Sequence, residues 1–518
     1  MLSKKYLKFL ILFFIFLLLL RFDFRQTIPS NTSLDDDASY YFHSKSITYD
    51  FDFDYSNQLD NSTEEFYHDQ NNKPVPKHPV GPGIFASPFM FIGKVLDYFF
   101  DQNIYNYLLY SLSSIFYLFI SITLLMKIFK EKTKNFIELK NYIYLYYFGS
   151  GIIYFAFQRF SMSHVYEIFA SSFILYLSFL SEKRKTKNIN NLNFLIGFLS
   201  ILFLFFRWTN YFLIILPLFY FILFKRIDIF INNFLRNIYY WLGLIFGVVV
   251  FLFHTKLLYG IYTFNPSDIY LQNLNNTIIL DFFNSSLVNV FSKILKNTLN
   301  ILFSLEFGLL YISPIIFLSL VVFIKFLMKK EYLLFFVLSI IYLVPFSTAI
   351  VWQTTASSFG YRYLYCLIPV SLLVVFANFE LQSFKFFKFY LVFPIFSIVA
   401  YLFFQTTDGT SLSANINSFG VYHNYSSPNF VFEVLHSILL YNSYLKIFFT
   451  SYLGIFLLYI LSLIFSSDKL VHTIDEFGYL NSDVENLLNY TNNLNFLYFF
   501  VLLIFVVLLF RINRKLLN

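Results

Sequence analysis

The chain has 518 residues, of which 58% are hydrophobic and only 13% charged, and 76 of them are Phe. So much apolar surface exceeds what one globular core hides, which excludes an ordinary water-soluble enzyme and defines a polytopic membrane protein. The formal charge of +7 carries no nucleic-acid signal, because the basic residues fall in short loops between apolar runs, and a single cysteine, Cys366, excludes internal disulfides and Cys-cluster metal sites.

Taken in chain order, the first apolar run spans Tyr6 to Phe24 behind Lys4 and Lys5. Arg21, Asp23 and Arg25 follow it with no small-residue cleavage site, so residues 1–24 are expected to form an uncleaved transmembrane anchor. Residues 25–103 then form an extracytoplasmic loop with juxtamembrane helices. Further runs of the ~20 residues needed to cross hydrocarbon lie near 104–126, 141–157, 164–181, 191–206, 209–224, 237–258, 307–327, 332–350, 361–378, 389–404, 444–466 and 493–510. With the anchor this predicts thirteen spans: an all-α bundle over 104–404 with an outer loop at 259–306, then 405–518 with a further outer loop and the last spans.

Loop charges follow this arrangement. Lys127, Lys130, Lys132, Lys134 and Lys140 share one loop, and Lys183, Arg184, Lys185 and Lys187 another. Lys225, Arg226 and Arg236 follow, then Lys325, Lys329 and Lys330, then Lys385 and Lys388, all cytoplasmic by the positive-inside rule. The tail runs against the rule: Arg511, Arg514 and Lys515 fall outside and the acidic stretch 468–490 inside. The longer polar connections, 25–103, 259–306, 351–360 and 405–443, land on the outer face.

The first of these carries "SLDDDASYYFHSKSITYDFDFD" from Ser33. Ser33 followed by Asp36 resembles a weak capping box, so a helix is expected from about Leu34. On it Asp36, Tyr40, His43 and Ile47 share one face, while Asp37 and Tyr41 share the next. Aromatic flanks are expected to keep this helix in the membrane interface. Asp35 to Asp37 read either as caps that hold the loop in water or as a general base. Asp50, Asp52 and Asp54 alternate with Phe51 and Phe53, so an extended segment would line them up as oxygen ligands for Mg²⁺ or Mn²⁺, or as a solvated edge.

A carboxylate at the outer rim suits one reaction: removing a proton from an acceptor hydroxyl that attacks a sugar carried on a lipid phosphate. The leaving phosphate then needs cationic stabilisation rather than a paired acid. Arg159 in "FQRFSMSH", Arg207 in "FFRWTN" and Arg362 in "SSFGYRYL" are all expected at outer ends of spans. Lys77 and His78 ahead of "PVGPG" read as phosphate ligands or as an exposed turn, His164 and Glu167 as cavity lining or an interhelical contact, and Arg207 also as a snorkelling side chain. There is no P-loop, dinucleotide fingerprint, "HExxH" or Cys/His metal spacing, which argues against a nucleotide-sugar donor.

"DDASYYFHSKSITYDFDFD" from Asp36 resembles the first outer loop of bacterial GT-C class membrane glycosyltransferases, the protein mannosyltransferase and aminoarabinose transferase type. "KHPVGPGIFASPFMFIG" from Lys77, "FSLEFGLLYISP" from Phe303 and "WQTTASSFGYRYLYCLIP" from Trp352 resemble the same class in the same order. The resemblance implies a polyprenyl-phosphate sugar donor, a glycan, lipid or protein acceptor, and an active site outside the bacterial inner or plasma membrane. It implies Asp36 as catalytic base with Asp37 as partner, Arg362 on the donor phosphate, and Glu306 as an acceptor-positioning or helix-ending residue; Asp35 stands where the class has Gly. A polysaccharide polymerase or ligase, using a large later loop, and a flippase or transporter, expected to show repeated halves and broken spans, are the rival classes.

Overall fold

In the computed structural model of the chain, apolar runs broken by short polar turns fold into helices almost throughout. The structure describes residues 36–59, 67–68, 73–101, 103, 105–133, 135–157, 159–183, 189–265, 267–270, 287–305, 307–352, 359–377, 390–403, 435, 461, 464 and 497–517. The expected anchor, Asp35, Glu306, the acidic stretch 468–490 and nearly all of the 405–466 region lie outside the described residues. Their one sheet is a two-residue antiparallel pair, Tyr67–His68 on Pro74–Val75.

Helix α1 spans Asp36–Tyr49, α2 Gly81–Phe100, α3 Tyr105–Lys132, α4 Phe136–Phe148, α5 Ile152–Phe157 and α6 His164–Lys183. Then come α7 Ile189–Leu202, α8 Leu216–Leu223, α9 Ile238–Tyr259, α10 Leu287–Phe303, α11 Pro314–Met328, α12 Tyr332–Trp352, α13 Ile368–Ala377, α14 Val392–Phe403 and α15 Leu497–Leu517. Five of the described helices, α2, α3, α6, α9 and α12, are long and apolar enough to cross a membrane. Shorter apolar helices include α7, α11 and α14. The outer face of α9 presents Trp241, Leu242, Ile245, Phe246, Val249 and Phe253 to the surroundings, an apolar surface that suits lipid rather than water.

Helix α2 was expected as part of an outer loop, and the structure gives it 20 residues. Pro88 lies inside it, and a proline there strips the carbonyl four residues back of its N–H partner. The Ser87 hydroxyl donates to that carbonyl, Ile84 O, at 2.8 Å. At the far end Asp97 caps α3 from outside, accepting from the Tyr105 and Asn106 amides at 2.7 and 3.0 Å, which satisfies two orphan donors and suits the positive helix start. Phe85 meets Tyr117 and Phe89 meets Phe116, so α2 and α3 form an antiparallel hairpin with α2 beside the first half of α3.

Polar groups gather at two ends of the bundle. At the C-terminal ends of α3 and α6, Glu182 meets Lys132 and the Tyr220 hydroxyl, the latter at 2.7 Å, Lys183 pairs with Glu131 at 2.8 Å, and Lys225 approaches Glu331 at 3.8 Å. The other end lies at the start of α6. The 20 residues of α6 separate the two by about 30 Å, the thickness of a bilayer's hydrocarbon.

Helix α1 is enclosed by protein over most of its length. Ala38 to Ser44 are all buried, because the helix packs on α2 and α3 rather than on lipid. The segment after it is not extended: Phe51 adopts φ 59° and the chain turns. Asp52 accepts from Ser46 Oγ at 3.0 Å, Asp54 pairs with Lys73, and Asp50 accepts from Gln58, so the three carboxylates diverge instead of lining one face.

Candidate functional site

The first turn of α1 places its two carboxylates at a helix N-terminus, where the partial positive charge favours anions. Neighbouring residues on a helix point about 100° apart, so the two face different partners. Asp37 accepts from Arg159 Nε at 2.7 Å and also from its Nη2, with side chains only 11% and 8% exposed. Arg159 sits in the turn between α5 and α6. Asp36 turns to the open side and is 30% exposed: its Oδ1 lies 3.0 Å from His78 Nε2 and its Oδ2 3.3 Å from Arg362 Nη1. Burial opposes the Asp36 charge, but His78, Arg362 and Arg159 outweigh it and hold the carboxyl well below the usual carboxylate range.

Two features seat His78. The buried His43 ring donates from Nε2 to the His78 carbonyl at 2.9 Å, and a carbonyl only accepts, so Nε2 carries the His43 proton and Nδ1 accepts from the Tyr55 hydroxyl at 2.6 Å. Burial pulls His43 down to about 4, which keeps it neutral in this role. Pro79 and the close packing of α2 on α1 complete the seat. A Cβ on Gly83 would stand 2.4 Å from His43 Cβ, and Ser44 Oγ donates to the Gly83 carbonyl at 2.9 Å. Tyr40, one turn after Asp36, lays its ring 5.5 Å from the His78 ring, and burial pushes its phenol pKa up. Lys77, half-buried, precedes His78.

A second carboxylate cluster adjoins. Glu167, 1% exposed on the first turn of α6, accepts from Arg207 Nη1 at 3.1 Å, Ser163 Oγ at 2.6 Å and Asn210 Nδ2 at 3.0 Å, with His164 Nδ1 at 3.2 Å. Arg207 also stacks over the Tyr363 ring at 4.5 Å, and Arg362 reaches the same ring at 5.4 Å. Tyr363 thus joins the two arginines. Beside Arg207, the residues Thr209, Asn210 and Tyr363 pack against Val344, Pro345 and Thr348 of α12 closely enough to leave no room for a water molecule.

Of the residues singled out in the sequence, the structure brings together Asp36, Asp37, Tyr40, His78, His164, Arg207 and Arg362, with Lys77 one residue away. Glu306 lies outside the described residues. Sequence reasoning missed Asn210, Ser163 and Tyr363 as contributors, although Asn210 stands in the quoted "FFRWTN" and a lone Asn amid aromatics was a signal. Arg159 was noted only as an outer arginine, and the structure makes it the counter-ion of Asp37. Among the described residues no three His, Cys, Asp or Glu side chains are grouped so as to hold a metal ion. In comparisons with known proteins, no family model, curated protein or solved structure matches the chain.

Proposed function

We propose that the protein is a GT-C type integral membrane glycosyltransferase, moving a sugar from a polyprenyl-phosphate donor to an acceptor hydroxyl on a glycan, lipid or protein at the extracytoplasmic face of the inner or plasma membrane. One observation carries the reading. Carboxylates of the first polar loop, Asp36 and Asp37, meet arginines from distant turns, Arg362 and Arg159, at the bundle end opposite the lysine-rich loops. With the lysine-rich end in the cytoplasm, the cluster faces outward, and thirteen spans complete the bundle.

In this reading the acceptor oxygen attacks the anomeric carbon while the sugar–phosphate bond breaks, and the electron pair leaves on the phosphate. The acceptor's proton passes to the Asp36–His78 pair. Arg362 and Arg207, both within reach of the Tyr363 ring, meet the growing phosphate charge, with Lys77 adding a further cation at the mouth. Glu167, His164 and Asn210 fix the Arg207 fork, and the Asp37–Arg159 pair fixes the helix that carries Asp36. Cells lacking the protein are expected to accumulate one polyprenyl-phosphate sugar, read by mass spectrometry of extracted lipids; an unchanged lipid profile counts against the reading.

A further inference from the structure

Resting on that transfer reading, we propose that His78 is the residue that takes the acceptor's proton, and that Asp36 positions it. The argument starts from the two partners of Asp36. An arginine at 3.3 Å on Oδ2 neutralises the carboxylate, and a histidine at 3.0 Å on Oδ1 engages its remaining oxygen. A carboxylate so compensated is a weak base, in line with the low Asp36 pKa. It is a good orienter. An ionised carboxylate only accepts, so it selects the Nε2–H tautomer of His78 and leaves Nδ1 as the basic nitrogen. The arrangement is that of a carboxylate–imidazole pair, in which the ring moves the proton and the carboxylate holds the ring and stabilises the imidazolium.

The surroundings fit the role. The His78 backbone is pinned by His43, which burial keeps neutral, so no second cation competes from below. Tyr40 packs on the ring from α1, and the charged groups facing the pair are Arg362 and Arg159, with Lys77 adjacent in the chain. The His78 side chain is 20% exposed, enough for an acceptor hydroxyl to reach it. In the step, the acceptor O–H bond breaks and its proton goes to Nδ1. The new C–O bond forms at the sugar, the phosphate leaves with its electron pair, and the imidazolium returns the proton to water.

The test uses the full chain in lipid nanodiscs with a polyprenyl-phosphate sugar donor. His78→Gln keeps an N–H for Asp36 but cannot carry a proton, so the rate is expected to fall ~10²–10⁴-fold. In His78→Ala, added imidazole is expected to restore part of the lost rate, which a purely structural role would not permit. A His78→Gln protein at full rate overturns the proposal, and so does absence of imidazole rescue. A second readout needs no turnover: in ¹⁵N-histidine spectra, His78 of the wild type is expected to be the Nε2–H tautomer and to lose that preference in Asp36→Asn, and an Nδ1–H tautomer in the wild type overturns the pairing. If the wild type itself transfers nothing from any such donor, it is the transfer reading that falls, a result distinct from an active wild type with an indifferent His78.

Discussion

Acid should loosen the protein through one buried ring. His43 is fully buried and hydrogen-bonds in its neutral form to the His78 carbonyl and the Tyr55 hydroxyl. Its pKa drops from 6.5 to about 4 in the folded chain. Because the folded value lies below the unfolded one, the unfolded chain binds the extra proton first. The stabilisation is therefore whole above pH 6.5 and is lost as pH falls toward 4, for a total of about 3 kcal/mol. The perturbation is His43→Gln, which keeps a donor for the His78 carbonyl but cannot titrate. The assay is SDS-induced unfolding in mixed micelles at pH 7.5, 6, 5 and 4, followed by tryptophan fluorescence. The wild type should lose about 3 kcal/mol more than His43→Gln across this range. Parallel losses in the two proteins would refute the claim that His43 is buried and neutral.

Arg159→Met leaves the Asp37 carboxylate buried and uncompensated, so it should cost ~3–5 kcal/mol in the same unfolding assay, while Asp37→Leu with Arg159→Met should recover most of that. Gly83→Ala drives a methyl into His43 Cβ and should cost ~1–3 kcal/mol, with a drop in transfer because α1 is pushed from α2. Arg207→Lys keeps the charge but loses the guanidinium contact with the Tyr363 ring, worth ~0.5–2 kcal/mol. The unfolding free energy should fall by about that amount, and an unchanged unfolding curve counts against the contact.

The faces of α1 were legible in the sequence because helical spacing is fixed: Asp36 and Tyr40 do converge on His78, and Asp37 and Tyr41 do point elsewhere. Arg159, Arg207 and Arg362 stood out in the sequence as isolated arginines at the ends of apolar runs, and they do gather at one end of the bundle. Their partners were not legible there, since Arg159 and Asp37 lie 122 residues apart and nothing local couples them. Of the two readings of the Asp50–Asp54 stretch, the solvated one holds and the extended one fails, because a non-glycine residue, Phe51, takes a left-handed turn that its side chain does not announce. Helix α2 continues through Pro88, where the Ser87 hydroxyl takes up the carbonyl that the proline leaves without a backbone donor. The burial of α1 escaped because its own pattern is barely amphipathic, and its cover comes from α2 and α3.

The most direct trial of the central claim, that Asp36 and Arg362 form one transfer site, is release of free polyprenyl phosphate from a synthetic polyprenyl-phosphate sugar by the purified protein in nanodiscs. The wild type should release it, and Asp36→Asn and Arg362→Met should each lower the rate at least ~100-fold while unfolding at wild-type detergent concentration. Release at the wild-type rate by either variant, or none by the wild type across a panel of hexose and pentose donors, would contradict the account.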